Sequence, residues 1–235
     1  MAVEDLLDRL CKGWRAYALI ALISLAAALP GIGRVPPLDR DESRYAQASL
    51  QMMETGDYVR IAVQDQPRNK KPVGIYWLQT ASVWAFSHPD AHEIWTYRLP
   101  SILGALLAAL ATFWGGQALI GRRAAFVGAA LLAASLLIST EGMIAKTDAM
   151  LCGLTTLAMA ALARLYGKLG QEASLPFLRA MTLVFWAALA GAVLIKGPIA
   201  PLVAGSCLLM LGVWRRKADW MRILLWWPAI ALAAL

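Results

Sequence analysis

The sequence predicts an all-α protein, a polytopic bundle of membrane-spanning helices. Hydrophobic residues make up 60% of the chain and charged residues only 16%, whereas soluble domains carry about 25% charged residues. Several apolar segments also exceed the roughly 18 residues that indicate a membrane-spanning helix. Because a lipid-exposed backbone must satisfy its own hydrogen bonds, such segments are expected to be helical.

The apolar segments divide the chain into six spans, part of a seventh, and one polar loop. The loop covers residues 37–97, and the spans cover residues 16–36, 98–120, 124–141, 148–166, 180–196, 198–214 and, incompletely, 223–235. The stretch from Ala124 to Ala163 would form a helix of about 60 Å, twice the hydrocarbon core, so it must turn back within the polar cluster Glu141 to Asp148. A second turn is expected at Lys196-Gly197-Pro198. Because the seventh span is too short to cross, we expect the chain to be an N-terminal portion.

The positive charge of the chain is distributed unevenly. The net charge of +7 would be compatible with nucleic-acid binding. However, the whole excess lies on segments assigned to one side of the membrane, among them Arg122-Arg123 and Arg215-Arg216-Lys217. The positive-inside rule assigns that side to the cytoplasm. We therefore expect a cytoplasmic N-terminus, a loop on the opposite face, and no nucleic-acid partner.

Two short helices are expected within the polar loop. Ser43 can cap a helix that runs to about Thr55 and stops at Gly56. Its apolar residues fall on one face, as in helices that lie in the membrane interface. A second helix is expected from Pro72 to about Phe86, and it is too short to span the bilayer.

Ionisable residues that a membrane anchor does not require converge on the non-cytoplasmic face. They are Asp41, Glu42, Lys71, Arg98, Glu141, Lys146, Asp148 and Lys196. Because an ionisable group in hydrocarbon costs about 2.5–3.5 kcal/mol, this convergence indicates a site or a pathway. The alternative for the lysines and the arginine is that they extend to lipid headgroups. Asp41 and Asp148 are too short for that, and the neighbouring Asp39 is expected to be solvated.

Five short motifs follow one another along the chain. They are Asp41-Glu42-Ser43-Arg44-Tyr45-Ala46, Asn69-Lys70-Lys71-Pro72-Val73-Gly74-Ile75-Tyr76-Trp77, Arg98-Leu99-Pro100-Ser101, Lys146-Thr147-Asp148 and Lys196-Gly197-Pro198. Together they resemble motifs of GT-C membrane glycosyltransferases, in particular the aminoarabinose lipid A transferases and the dolichyl-phosphate-mannose–protein mannosyltransferases. Each motif is weak alone, whereas the ordered set, covering about residues 20 to 200, is specific.

The resemblance implies an enzyme that transfers a sugar from a polyprenyl-phosphate carrier to lipid A or another lipid or glycan acceptor. The reaction would be a single inverting displacement at the periplasmic face of the bacterial inner membrane. The implied catalytic carboxylates are Asp41, with Glu42 as its neighbour, and Asp148. Asp41 would act as a base on an acceptor hydroxyl or would orient an acceptor phosphate.

The implied substrate-binding residues are Arg44, Tyr45, Lys71, Arg98, Lys146 and Lys196. Lys71 is a point charge suited to the departing phosphate. Because that phosphate gains negative charge as it leaves, a cation beside it stabilises the transition state in preference to the ground state.

The sequence departs from the aminoarabinose transferases just before Lys71. Those enzymes have an aromatic pair and a glutamate associated with metal binding, whereas this chain has Arg68, Asn69 and Lys70. A divalent metal is therefore possible but not supported by the sequence, and no metal ligands are predicted. Arg68 and Lys70 could instead meet an anionic donor or acceptor.

Two other functions are compatible with the sequence. One is a transporter or flippase of lipid-linked sugars, and the other is a non-catalytic membrane fragment. Transporters tend to contain inverted repeats and helices interrupted near the membrane midplane. Here the polar groups cluster at one surface and no repeat is visible, which favours chemistry over transport.

Overall fold

The structure, a computed structural model, describes residues 10–37, 39–68, 70–168, 172–215 and 219–234. Within these ranges the chain forms a two-stranded hairpin, β1 (Ala62–Val63) and β2 (Gln66–Pro67), and ten α-helices. The helices are α1 (Trp14–Ala28), α2 (Arg40–Thr55), α3 (Gly74–Phe86), α4 (Ile94–Leu119), α5 (Arg122–Ala133), α6 (Leu136–Gly142), α7 (Asp148–Tyr166), α8 (Leu175–Lys196), α9 (Ile199–Arg215) and α10 (Trp227–Ala234). Asn69 of the second motif and the basic residues Arg216 and Lys217 lie outside the described residues.

Four of these helices are long and apolar enough to cross a membrane. They are α1 with the turn that follows it, α4, α7 and α8. Helices α5 and α6 add a fifth span if they are counted as one, although they are bent by 56°. The predicted fold class, an all-α multi-pass membrane protein, is confirmed. The count of six complete spans stays a prediction, since α9 has only 17 residues.

Helices α4 and α7 form the most closely packed pair. A Cβ atom added to Gly104 would lie 2.4 Å from the backbone of Met150, and one added to Gly153 would lie 2.4 Å from the Gly104 carbonyl oxygen. Apolar side chains gain little by leaving lipid for another helix, so close backbone approach at small residues stabilises such pairs. These glycines therefore allow α7 to lie directly against α4.

The polar loop forms the two short helices that the sequence predicts, with different starting points. Helix α2 begins at Arg40 because the Asp39 carboxylate accepts a hydrogen bond of 2.7 Å from the Asp41 backbone N–H. The prediction that Ser43 caps this helix is therefore wrong by one turn. Gly56 ends the helix at a φ of 71°, as expected. Helix α3 begins at Gly74, two residues after the predicted start at Pro72.

Two turns bring helix ends to the same region as the start of α2. Helix α8 ends at Lys196, and Gly197 adopts a φ of 74° before α9 begins at Ile199. Helices α6 and α7 are joined by residues 143–147, the polar segment in which the sequence predicts a turn. The N-terminus of α7 and the C-terminus of α8 meet there, since Lys196 is paired with Asp148.

Candidate active site

A buried ion pair fixes the beginning of α2. The Arg98 Nε donates to Glu42 Oε1 at 2.7 Å and its Nη2 donates to Oε2 at 3.1 Å. Arg98 Nη1 donates to the carbonyl oxygens of Ile32 and Val35, and Glu42 also accepts from the Ala145 N–H at 2.9 Å. The network thus ties α2 to α4, to the segment after α1, and to the segment before α7.

The pairing separates the roles of two adjacent carboxylates. The Glu42 side chain is 2% exposed, whereas that of Asp41 is 58% exposed. Successive helical residues point about 100° apart, so anchoring Glu42 inward turns Asp41 outward. Glu42 and Arg98 were predicted as catalytic and substrate-binding residues, and those roles stay predictions. In the structure both side chains are buried and hydrogen-bonded to each other, so they hold the start of α2 in position.

A second ion pair joins Asp39 to Lys146, in the segment before α7. The hydrogen bond from Lys146 and that from the Asp41 backbone N–H lower the pKa of Asp39. Burial opposes the charge on Lys146, but the Asp39 carboxylate outweighs burial and raises the Lys146 pKa. The expectation that Asp39 is simply solvated is therefore wrong, because one oxygen caps α2 and the other meets a lysine.

A third ion pair joins the ends of two apolar helices. Lys196, the last residue of α8, is paired with Asp148, the first residue of α7. An acid at a helix N-terminus and a base at a C-terminus both complement the helix dipole. The pair therefore holds one predicted carboxylate and one predicted cation at the same face of the bundle.

Asp41 lies between two arginines and beside two tyrosines. Its Oδ1 is 3.9 Å from Arg44 Nη1 and 3.8 Å from Arg68 Nη2. The Arg68 guanidinium lies 5.2 Å from the centre of the Tyr45 ring, and the Tyr45 and Tyr76 ring centres are 5.4 Å apart. Arg68, an added cation relative to the aminoarabinose transferases, and Tyr76 are not among the site residues predicted from the sequence.

Both exposed carboxylates of the site affect the pKa of the Tyr45 hydroxyl. Burial raises the pKa of Tyr45, Thr147 and Arg68 lower it, and the negative charges of Asp148 and Asp41 raise it further. Asp41 and Asp148, far apart in sequence, therefore both act electrostatically on the same tyrosine.

Lys71 is half-buried just before α3. No ion pair or side-chain hydrogen bond joins it to another residue in the part of the chain that the structure describes. A Cβ on Gly74, three residues later, would lie 2.7 Å from the Leu194 carbonyl oxygen, so the start of α3 packs against the end of α8. Lys71 thus lies close to the C-terminal end of α8, which carries Lys196, and its charge has no carboxylate partner among the described residues.

Among the described residues, no group of three or more His, Cys, Asp or Glu side chains could hold a metal ion. His88 and His92 are four residues apart, a spacing that would let two histidines of one helix bind the same metal ion, but they do not share a helical face. Pro89–Ala91 forms a 3₁₀ turn, His92 has a φ of 49°, and Glu93 accepts a hydrogen bond from Ser87 at 2.8 Å.

The site therefore combines exposed carboxylates, neighbouring cations and a short helix that does not span the membrane, on a multi-pass bundle. A model of the dolichyl-phosphate-mannose-protein mannosyltransferase family matches residues 38–235. The chain belongs to this family.

Within this family, the chain is similar to individual curated transferases. The chain is 31% identical over 137 residues to the undecaprenyl phosphate-alpha-4-amino-4-deoxy-L-arabinose arabinosyl transferase of Pectobacterium carotovorum subsp. carotovorum (strain PC1), covering 58% of this chain and 24% of that protein. It is 29% identical over 163 residues to the transferase of the same description from Edwardsiella ictaluri (strain 93-146), covering 69% and 27%. The chain thus spans about a quarter of the length of these curated relatives.

Solved structures share the fold. ArnT from Cupriavidus metallidurans in the apo state superposes with a TM-score of 0.82 at 23% identity, covering 92% of this chain and 39% of that one. The same protein bound to undecaprenyl phosphate gives a TM-score of 0.72 at 23% identity, covering 95% and 42%. The predicted GT-C-like architecture is confirmed by this likeness.

Proposed function

We propose that the chain is the site-bearing part of an integral membrane glycosyltransferase. It transfers a sugar from a polyprenyl-phosphate carrier to lipid A or another envelope acceptor. The observation that carries the proposal is the contrast between Asp41 and Glu42. One carboxylate is anchored in a buried ion pair, and its neighbour is left exposed beside two arginines. The buried pair fixes the direction of Asp41, so its carboxylate is held where a substrate can reach it.

The proposed reaction is one displacement at the anomeric carbon. The acceptor oxygen forms a bond to that carbon while the bond from the carbon to the carrier phosphate breaks, and the phosphate leaves with the electron pair. Lys71 stabilises the negative charge that develops on the phosphate, and Arg44 and Lys196 are further cations proposed for the same role. Such cations act most strongly where water is partly excluded.

Asp41 acts on the other side of the anomeric carbon. For a hydroxyl acceptor it takes the proton as the new bond forms. For a phosphate acceptor, which is already deprotonated near neutral pH, it orients the nucleophile and stabilises the positive charge on the sugar ring. Asp148 supplies a second carboxylate next to Tyr45, and Lys146 supports Asp39 at the start of α2.

The location follows from the chemistry of the donor. The carrier has a lipid tail and a polar head, so its reactive phosphate lies at the membrane interface, where α2 and α3 are expected. The names of the relatives refer to an undecaprenyl-phosphate donor. We propose the bacterial inner membrane as the location, with the N-terminus in the cytoplasm and the site at the periplasmic face.

The test uses the full-length protein in proteoliposomes with polyprenyl-phosphate sugar donors. Asp41→Asn and Lys71→Ala are expected to lower transfer at least about 100-fold, because each removes a charge that acts in the transition state. Asp65→Asn, in the exposed hairpin, is the matched control and is expected to keep wild-type transfer. Wild-type transfer by both site variants would overturn the proposal, as would carrier translocation without any glycosyl product.

A further inference from the structure

Arg68 is a mostly buried cation whose Nε has no hydrogen-bond acceptor among the described residues. Its side chain is 10% exposed, and its Nε is buried and has no hydrogen-bond partner among the described residues. The only carboxylate paired with it there is Asp41, 3.8 Å from Nη2, which is beyond hydrogen-bond distance. Burying a charged donor without an acceptor costs free energy. The arrangement therefore calls for an acceptor from outside the described chain.

The polar groups around Arg68 are hydrogen-bond donors of the kind that bind oxyanions. The Tyr45 ring lies under the guanidinium, and the Tyr76 hydroxyl is also buried with no hydrogen-bond partner among the described residues. Burial raises the pKa of Tyr76, and a side-chain interaction with Arg68 opposes that rise, so the two groups are neighbours. A guanidinium fork and a hydroxyl are donors that match the oxygens of a phosphate or a carboxylate.

The charged side chains around Asp41 leave an excess of positive charge. Lys146 is paired with Asp39 and Lys196 with Asp148, so each of those lysines has its own carboxylate. Asp41 has to serve both Arg44 and Arg68, at 3.9 and 3.8 Å. An exposed carboxylate at such distances contributes little to either pair. One positive charge beside Asp41 is therefore available to a ligand.

We propose that Arg68 and the Tyr76 hydroxyl bind an oxyanion of the donor and thereby determine which donors are accepted. This inference rests on the proposed function. The oxyanion is either the phosphate of the carrier or a carboxylate on the sugar, since both present paired oxygens to the guanidinium fork. Arg68 then lies on the donor side of Asp41, where it holds the donor in place for the displacement.

The first experiment measures binding of undecaprenyl phosphate to the full-length protein in detergent, for the wild type, Arg68→Gln, Arg68→Lys and Tyr76→Phe. The matched control is Arg60→Gln, which removes the same charge from an exposed position in the same loop. The thermal midpoint of each variant is measured in parallel. Tyr76→Phe is expected to keep the wild-type midpoint, and Arg68→Gln is expected to lower it only slightly, through the loss of the contact with the Tyr45 ring and the long pairing with Asp41.

If the oxyanion is the carrier phosphate, Arg68→Gln weakens binding at least tenfold and Tyr76→Phe weakens it severalfold. Arg68→Lys restores part of the affinity, since it keeps the charge but not the fork. Arg60→Gln leaves binding unchanged. Arg68→Gln also reduces the salt dependence of binding, because one contact between unlike charges is removed.

The second experiment distinguishes the sugar carboxylate from the phosphate. Transfer is compared for polyprenyl-phosphate donors that carry a uronic acid or the corresponding neutral hexose. If the oxyanion is the carboxylate, Arg68→Gln leaves undecaprenyl phosphate binding unchanged but lowers the preference for the uronic acid at least tenfold. If Arg68→Gln matches Arg60→Gln in both experiments, or only lowers the thermal midpoint, the proposal is overturned. An absence of transfer by the wild type would refute the proposed function, while the binding experiment would still test Arg68.

Discussion

Glu42 and Arg98, 56 residues apart in sequence, form a buried ion pair with two hydrogen bonds that joins the start of α2 to α4. Arg98 Nη1 also donates to the backbone carbonyl oxygens of Ile32 and Val35, and Glu42 also accepts from the backbone N–H of Ala145. The desolvation of both charges is thus offset by a nearly complete set of hydrogen bonds. The orientation of Asp41 depends on this pair.

Glu42→Gln is expected to destabilise the protein by about 3–5 kcal/mol, because it leaves the Arg98 charge buried without a counter-charge. Unfolding monitored by denaturant titration in detergent measures the loss. Glu54→Gln, an exposed position on the same helix, serves as the control and is expected to change stability by less than about 0.5 kcal/mol. Equal stability of the two variants would contradict the structural role assigned to Glu42.

The Asp39–Lys146 pair predicts a loss of stability in acid. Because the pKa of Asp39 is lowered from its ordinary 3.8, the pair contributes fully above about pH 4 and its contribution disappears as the pH falls through the lowered value. Asp39→Asn keeps a helix-capping side chain but loses the charge. The difference in thermal midpoint between wild type and Asp39→Asn should be constant near neutral pH and shrink below pH 3.8.

The control for that measurement is Asp65→Asn, which removes an exposed carboxylate of the same loop. Its thermal midpoint should follow that of the wild type throughout the titration. A difference for Asp39→Asn that stays constant through the acid range would show that Lys146 does not stabilise the Asp39 charge.

Gly104→Ala tests the close approach of α4 and α7. The added Cβ would lie 2.4 Å from the Met150 backbone, which only a shift of one helix can relieve. Overpacking of this kind costs typically about 1–3 kcal/mol, and here the obstacle is backbone rather than a flexible side chain. Gly128→Ala on α5 meets nothing within 4 Å and is expected to be neutral or slightly stabilising. Equal thermal midpoints for the two variants would argue against the packing described.

Asp148→Asn is expected to affect transfer more than stability. The Asp148 side chain is 43% exposed and that of Lys196 is 20% exposed, and partly exposed ion pairs contribute at most about 1 kcal/mol. A loss of transfer above about tenfold, with a shift in thermal midpoint no larger than that of Asp65→Asn, would support a functional carboxylate. Unchanged transfer would confine Asp148 to pairing with Lys196.

The motifs indicated residues that the fold brings together, but not how those residues are paired. Asp41, Arg44 and Tyr45 lie on α2 as expected, and the Lys146-Thr147-Asp148 segment reaches the same region. The sequence could not distinguish Asp41 from Glu42, because adjacent acids in a motif look equivalent until one of them is paired. Arg68 was noted only as a departure from relatives, since its burial against Tyr45 depends on how the loop folds.

The sequence by itself determined the membrane class, the family and the approximate helices. These properties depend on hydrophobicity, on charge and on motif order, all of which are local. The tertiary structure decided which charges are neutralised and which remain available. Glu42 is paired with Arg98, Asp39 with Lys146 and Asp148 with Lys196, whereas Asp41 is exposed and the Arg68 Nε has no hydrogen-bond acceptor among the described residues. The physical reason is that ion pairing acts between side chains close in space, and their separation is set by helix packing rather than by sequence.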